Sequence, residues 1–220
     1  MIITSIEQQK RANRYNIFCD GEFIVGVSID SLVKFSLRKG EELVSATIEK
    51  IKHEEEFRSA KQSALRSLAR SMRSEKEIRE KLKNKKFHTE IIEEVILELR
   101  ERDFLNDERF AKTFVADTSQ RKNVGTRLLQ QQLFRKGIAK QFIEESLKDV
   151  PVEQEMELAL ALAKKKKSQL NGSSKKLEQI QKKKRIGDLL LRRGFSSSIT
   201  LKVLKQVLEE EKNFTNDFEE

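Results

Sequence analysis

The residues best equipped for chemistry in this 220-residue chain are cations, and they are unevenly placed. Lys164, Lys165, Lys166, Lys167, Lys175, Lys176, Lys182, Lys183, Lys184 and Arg185 share one 22-residue stretch with a single acid, Glu178. That stretch accounts for the whole formal net charge of +9, leaving 35 basic and 35 acidic residues that cancel. Charge of one sign at this density repels itself until a polyanion or an acidic surface neutralises it. The competing reading is a solvated connection, and Asn171-Gly172-Ser173-Ser174 in its middle has the composition of a flexible break. Smaller basic groups recur elsewhere. Arg66, Arg70 and Arg73 follow the i, i+4, i+7 spacing of one helix face. Lys85-Lys86, Arg135-Lys136 and Arg192-Arg193 hold the same place in a pattern that occurs three times. A ladder of this kind suits phosphate contacts. Cations placed near helix C-termini account for the turn pairs equally well.

Other chemistries find little support. Gly21-x4-Gly26-Val27-Ser28 has the outline of a phosphate loop but lacks the lysine. It also crosses a hairpin, where such a loop must join a strand to a helix. His53 and His88 stand 35 residues apart, remote from the lone Cys19, which supports no zinc site. No catalytic residue, metal or cofactor is expected. Phe87, Phe110, Phe114, Phe142 and Phe195 fall on apolar stripes and read as core, not as platforms for stacked bases.

The elements that position these cations follow from the repeat itself. It reads Ile78-x3-Leu82-x4-Phe87-x3-Ile91-x4-Ile96, then Leu129-x3-Leu133-x4-Ile138-x3-Phe142-x4-Leu147, then Ile186-x3-Leu190-x4-Phe195-x3-Ile199-x4-Leu204. Each copy is two helical stripes separated by a basic residue and a turn residue. Leu82 and Leu133 are 51 residues apart and Leu133 and Leu190 are 57, which leaves room for about three helices per unit. Hydrophobic residues make up only 37% of the chain and charged residues 37%, against about a quarter charged in a typical domain. A thin core with much solvated helix surface fits tandem three-helix units in an elongated, curved array. Such a body suits a protein that lies along another polymer, not one that closes a small catalytic pocket.

The front end differs in kind. Arg14 to Cys19 and Glu22 to Val27 flank Asp20-Gly21, a strong hairpin signal because a type I′ turn needs positive φ. Ile2 to Gln8 alternates as a third strand. Short helices are expected near Ser31 to Ser36, closed by Lys39-Gly40, and near Ser45 to Ile51, with Lys52-His53-Glu54-Glu55-Glu56 as a charged connection. Ser74-Glu75-Lys76-Glu77 fits a capping box, and Asn106 or Asp107 starts the next long helix. Gly137 and Gly194 stand where helix ends need a left-handed residue, and Val150-Pro151 separates the second and third units. The expected divisions are a β-hairpin-containing cap (1–56), three-helix repeats (57–106, 107–150 and 151–212) and an acidic tail (213–220), with Phe214 and Phe218 docking their rings. No run of about 18 apolar residues would span a membrane, no signal-peptide pattern is present, and one cysteine fits a reducing cytoplasm.

Several of these segments resemble a known family. Arg73-Ser74-Glu75-Lys76-Glu77-Ile78-Arg79-Glu80-Lys81-Leu82, Lys85-Lys86-Phe87 and Phe104-Leu105-Asn106-Asp107-Glu108-Arg109-Phe110-Ala111 are similar to the motifs of RecX, the bacterial regulator of the recombinase RecA. Lys136-Gly137-Ile138 and Arg193-Gly194-Phe195 fit as well, and the front end resembles that of Gram-positive members. Lys86 and Asp103 replace glycines of the family pattern, and Asn106 replaces an aspartate. The resemblance implies tandem three-helix units that bind along the groove of the RecA–DNA filament and restrain its ATPase and strand exchange, without catalysis of their own. It further implies the RecA filament as partner, with single- or double-stranded DNA beside it, for a protein acting as a monomer in the cytoplasm. Two other readings stand beside it: an independent helix-turn-helix DNA-binding regulator, and a helical adaptor for protein alone. The recurring helices carry mostly Glu and Lys beside their stripes, with few Asn, Gln or Arg where a recognition helix would begin, which leans away from base readout.

Overall fold

In the computed structural model, residues 1–10, 13–171 and 178–216 are described. Lys175, Lys176 and the 172–174 break lie outside them, as do the side chains of Phe214 and Phe218. The protein is mainly helical, with a small antiparallel sheet at its start.

Strands β1 (Ile3–Gln8), β2 (Arg14–Cys19) and β3 (Glu22–Ser28) pair in sequence order. The β2–β3 turn has φ of 51° at Asp20 and 87° at Gly21, the two positive values a type I′ hairpin requires. Ile3, Ile17, Cys19 and Val27 point to one side and meet Leu37, Leu43, Ile48 and Ile51 in a small core. Helix α1 (Ile29–Lys34) closes earlier than the sequence suggested. Ser36 (φ 51°) takes the left-handed conformation that ends the helix, with Leu37 N–H donating to the Leu32 carbonyl, and Gly40 (φ 85°) is a second left-handed residue beyond it.

The next helix departs further from expectation. In place of a short helix and a charged connection, α2 runs unbroken over Ser45–Leu68. Lys and Glu are good helix formers, so a charged run is as compatible with a solvated helix as with a linker. Ile48 and Ile51 serve the sheet core, while Ala60 and Ala64 serve the next one. Glu55, inside the supposed connection, is buried. Its Oε1 accepts from Ser28 N–H (2.8 Å), Ser28 Oγ (2.9 Å) and Ser31 Oγ (2.6 Å), and its Oε2 pairs with Arg14 at 3.1 Å. Burial alone would raise its pKa, but the Ser31 and Ser28 hydrogen bonds and the Arg14 charge together hold it below the usual value.

Three helical triplets follow. The second half of α2 packs with α3 (Glu75–Asn84) and α4 (Thr89–Glu101) around Ile78, Leu82, Ile92, Val95 and Leu99. Helices α5 (Asp107–Lys122), α6 (Thr126–Arg135) and α7 (Lys140–Lys148) enclose Phe110, Val115, Leu129, Leu133 and Ile143. Helices α8 (Val152–Asn171), α9 (Gln179–Arg192) and α10 (Ser197–Asn216) enclose Ala159, Ala163, Ile186, Leu190, Phe195 and Val203. Cap and first triplet form one compact unit, Met1–Leu105; the other two triplets form a second, Asn106–Glu220.

The local signals act as their chemistry dictates. Ser74 and Glu77 make a reciprocal capping box, and the Asn106 side chain accepts from Arg109 N–H at 2.8 Å. The turns after α3, α6 and α9 share one design. Lys86, Gly137 and Gly194 have φ of 64°, 81° and 86°, and the next residue's N–H returns to the carbonyl five residues back. That is a Schellman closure. Asp103, another family glycine position, repeats it at φ 56° after α4.

Candidate nucleic-acid interface

The first basic group lies where α2 gives way to α3. Because α2 ends at Leu68, Arg66 occupies its last turn while Arg70 and Arg73 lie in the connection, so the three do not share a helix face as their spacing suggested. They converge nevertheless. Desolvation lowers the pKa of Lys81 on α3, and the positive charges of Lys85, Arg70, Arg73 and Arg66 lower it further. Arg73, Lys81 and Lys85 line one shallow pocket together with Glu77 and Glu80, Arg73 pairing with Glu77 at 3.7 Å, and Arg70 and Arg66 stand near enough for their charge to be felt at Lys81. Sequence reading passed over Lys81, although it stands inside the Arg73–Leu82 motif.

The turn pairs occupy equivalent positions but make different contacts. Lys85 caps α3, and Lys85 and Lys86 are both exposed. Lys136 caps α6 with Nζ 5.4 Å and 5.6 Å from the Phe110 and Phe114 ring centres, a cation–π contact to two stacked rings. Arg135 beside it is exposed. Arg192 Nε donates to the Asp188 carbonyl at 3.2 Å, and Arg193 reaches the Lys122 carbonyl at the end of α5, at 3.0 Å. Those two arginines meet helix carbonyls, the placement the macrodipole favours.

The basic strip divides between two helices. On α8, Lys164 and Lys165 are exposed, Lys166 is half-buried, and Lys167 donates to the Val207 carbonyl at 2.6 Å. On α9, Lys182 is half-buried while Lys183, Lys184 and Arg185 are exposed. The α9 cations follow an N-cap, Glu178, that makes no side-chain capping bond, and the first turn contains no acid. Positive charge near a helix N-terminus opposes the macrodipole, so an incoming anion relieves it.

The turns also join the second and third triplets. Gly125 N–H donates to the Arg193 carbonyl (2.9 Å) and Arg127 N–H to the Gly194 carbonyl (3.1 Å). A Cβ on Gly125 would lie 2.5 Å from Gly194 O, and one on Gly194 would lie 2.3 Å from Leu128 N. Buried Glu155 of α8 accepts from Thr126 N–H at 2.8 Å, capping α6 from the neighbouring triplet. None of this was foreseen, since it depends on residues paired across about 30 to 70 positions.

Among the described residues no three His, Cys, Asp or Glu side chains cluster as metal ligands, and no helix is long and apolar enough to cross a membrane. His53 faces Glu94 at 3.0 Å and His88 faces Glu56 at 2.8 Å, each bracing α2 against α4 or its N-cap. Burial, together with nearby Asp20, raises the pKa of Cys19.

Comparison with known proteins decides the family. The RecX N-terminal domain matches residues 1–44, and the first, second and third RecX three-helix domains match 60–99, 106–147 and 153–204. The chain belongs to the RecX family. A regulatory protein RecX from Listeria welshimeri is 34% identical over 200 residues, spanning 90% of this chain and 73% of that one. Another from Clostridium beijerinckii is 31% identical over 207 residues, spanning 94% and 95%. A crystal structure of regulatory protein RecX superposes with a TM-score of 0.70 at 30% identity, covering 92% of this chain and 98% of that chain. RecX from Lactobacillus salivarius gives 0.61 at 25% identity over 69% and 96%. The cluster around Lys81 thus lies in the first RecX three-helix domain and the Lys164–Arg185 strip in the third.

Proposed function

We propose that this RecX-family protein is a regulator that binds the RecA–DNA filament and restrains RecA's ATPase and strand exchange. The observation that supports this reading is the basic group of Arg73, Lys81 and Lys85 lining one pocket, with Arg66 and Arg70 nearby, in the segment that matches the first RecX three-helix domain. Lys164 to Lys167 and Lys182 to Arg185 supply a second charged contact, and the turn cations Lys86, Arg135, Lys136, Arg192 and Arg193 a third. The partner is the filament, with its DNA a polyanion within reach, and the protein works as a monomer in the cytoplasm. It performs no reaction; its effect is on the population of active filament.

The test is salt dependence. Each neutralised single-strand phosphate contributes about 0.7 to the slope of log affinity against log salt. Replacing Lys182, Lys183, Lys184 and Arg185 by Gln is expected to flatten the slope for DNA by roughly 2 to 3 units, alike for different sequences. An unaltered slope with lost action on RecA assigns the strip to an acidic protein surface. Retention of both makes it a solvated connection.

A further inference from the structure

A lysine is ordinarily kept inert by its proton, since an ammonium has no free electron pair, and a carboxylate beside it holds that proton in place. Lys112 and Lys148 follow this rule. Each hydrogen-bonds a carboxylate of its own helix, Glu108 at 2.8 Å and Glu145 at 3.0 Å, and that bond raises its pKa. Lys81 on α3 is placed in the opposite way. It is half-buried, and desolvation together with the charges of Lys85, Arg70, Arg73 and Arg66 disfavours its ammonium form. The carboxylates that could restore it are engaged elsewhere. Glu77, one helical turn before it, accepts from Ser74 N–H at 3.1 Å and pairs with Arg73 at 3.7 Å. Glu80 pairs with Lys76 at 3.9 Å.

The amine also opens onto space. Arg73, Lys81 and Lys85 share the wall of a pocket of about 470 Å³ with Ser67 and Asn84, besides the two engaged carboxylates. Lys85 comes one turn after Lys81 at the end of α3, and Arg73 stands in the connection before that helix. A nucleophilic nitrogen is thus flanked by two cations in a space that admits a small anion.

We propose that Lys81 is a modification site, acylated without an enzyme by a small acyl phosphate whose phosphate group is held by Arg73 and Lys85. The neutral Nζ, its third proton lost to solvent, attacks the acyl carbonyl carbon. A C–N bond forms and the C–O bond to phosphate breaks. Phosphate leaves with the electron pair and takes the proton that the nitrogen sheds, so an amide and hydrogen phosphate result. The flanking cations attract the charged donor and stabilise the charge that grows on the departing phosphate. A neutral acyl donor gains nothing from them, and a nucleotide-bearing thioester is too large for the pocket. The chain is the acceptor and turns nothing over. Acylation removes one positive charge from the basic group. The weaker action on RecA expected from that loss rests on the filament reading; the modification itself does not.

The experiment incubates the full chain with acetyl phosphate at neutral pH, without RecA or DNA, and follows acetylation of each lysine by mass spectrometry after cleavage at glutamate. Lys81 is expected to react about fivefold faster than Lys112 and Lys148, or more. Accessibility alone favours those two, whose side chains are 49% and 69% exposed. Arg73→Gln removes a flanking cation and releases Glu77, and is expected to slow Lys81 about fivefold. Arg70→Gln, outside the pocket, slows it less. With the neutral N-hydroxysuccinimide ester of acetate the lead narrows, and in urea it disappears. Equal rates at Lys81, Lys112 and Lys148 overturn the proposal, as does a lead that persists in urea or an Arg73→Gln variant that reacts like wild type. An undiminished lead with the neutral ester overturns the phosphate-holding role of Arg73 and Lys85. Thermal melts of both variants separate a slower amine from a lost fold. Inhibition of RecA's ATPase by Lys81→Gln, which carries no charge, is scored apart, so failure of the filament reading leaves the acetylation rates to stand or fall alone.

Discussion

Lys86 after α3 and Gly194 after α9 close their helices with the same backbone, φ 64° and 86°, and the same return hydrogen bonds, yet their surroundings are opposite. Lys86 is exposed, and its Cβ is tolerated there. Gly194 is buried against Leu128, at a distance where no Cβ fits. The exposed residues of these helices diverge likewise: on α3, Lys76 pairs with Glu80 and Arg79 with Glu75 and with Glu93 of α4, while α6 carries no acid and exposes Arg127, Gln130, Gln131 and Phe134. A repeated sequence signature sets the local turn in every copy. What each copy then touches is decided by the few residues that differ.

That comparison is broken most sharply at Gly194. Gly194→Ala adds left-handed strain to a clash with Leu128 backbone and is expected to cost about 3 kcal/mol or more. Gly137→Ala, with φ 81°, is expected to cost about 1 kcal/mol from backbone conformation. Denaturant titration compares the two, and equal losses would show that the packing against Leu128 carries no weight.

Glu55→Gln comes next. It leaves Arg14 and the Ser28 and Ser31 donors poorly matched, and is expected to cost about 1–3 kcal/mol at neutral pH. Because the folded-state pKa of Glu55 is lowered, its contribution is present above the ordinary carboxylate value and lost as pH falls through the folded one. The gap between wild type and Glu55→Gln should therefore close in acid. A gap that does not change with pH would rule out the ionised carboxylate as its source.

Lys86→Gly is expected to have the smallest effect, a stabilisation of no more than about 1 kcal/mol, as relief of the left-handed strain is partly offset by glycine's chain entropy. A clear loss of stability on denaturant titration would mean that the Lys86 side chain has a structural role of its own.

How much of this was legible in the sequence follows from the range of each interaction. The Asp20-Gly21 hairpin, the Ser74 capping box and the left-handed turns are set by residues within five positions of one another, and all appear where the sequence puts them. The course of α2 was missed because Lys52 to Glu56 satisfy a helix and a linker equally. Glu55 and Glu155 looked like surface acids, since nothing nearby announces that Ser28 or Thr126 waits 27 or 29 residues away. The cation list was legible, but the convergence of Arg66, Arg70 and Arg73 on Lys81 depends on a helix end between them.

The most direct measurement of the central reading is ATP turnover by RecA on single-stranded DNA, titrated with this protein. Turnover is expected to fall as the protein approaches stoichiometry with RecA, while the protein alone hydrolyses nothing. Unchanged RecA turnover at a stoichiometric excess would contradict it.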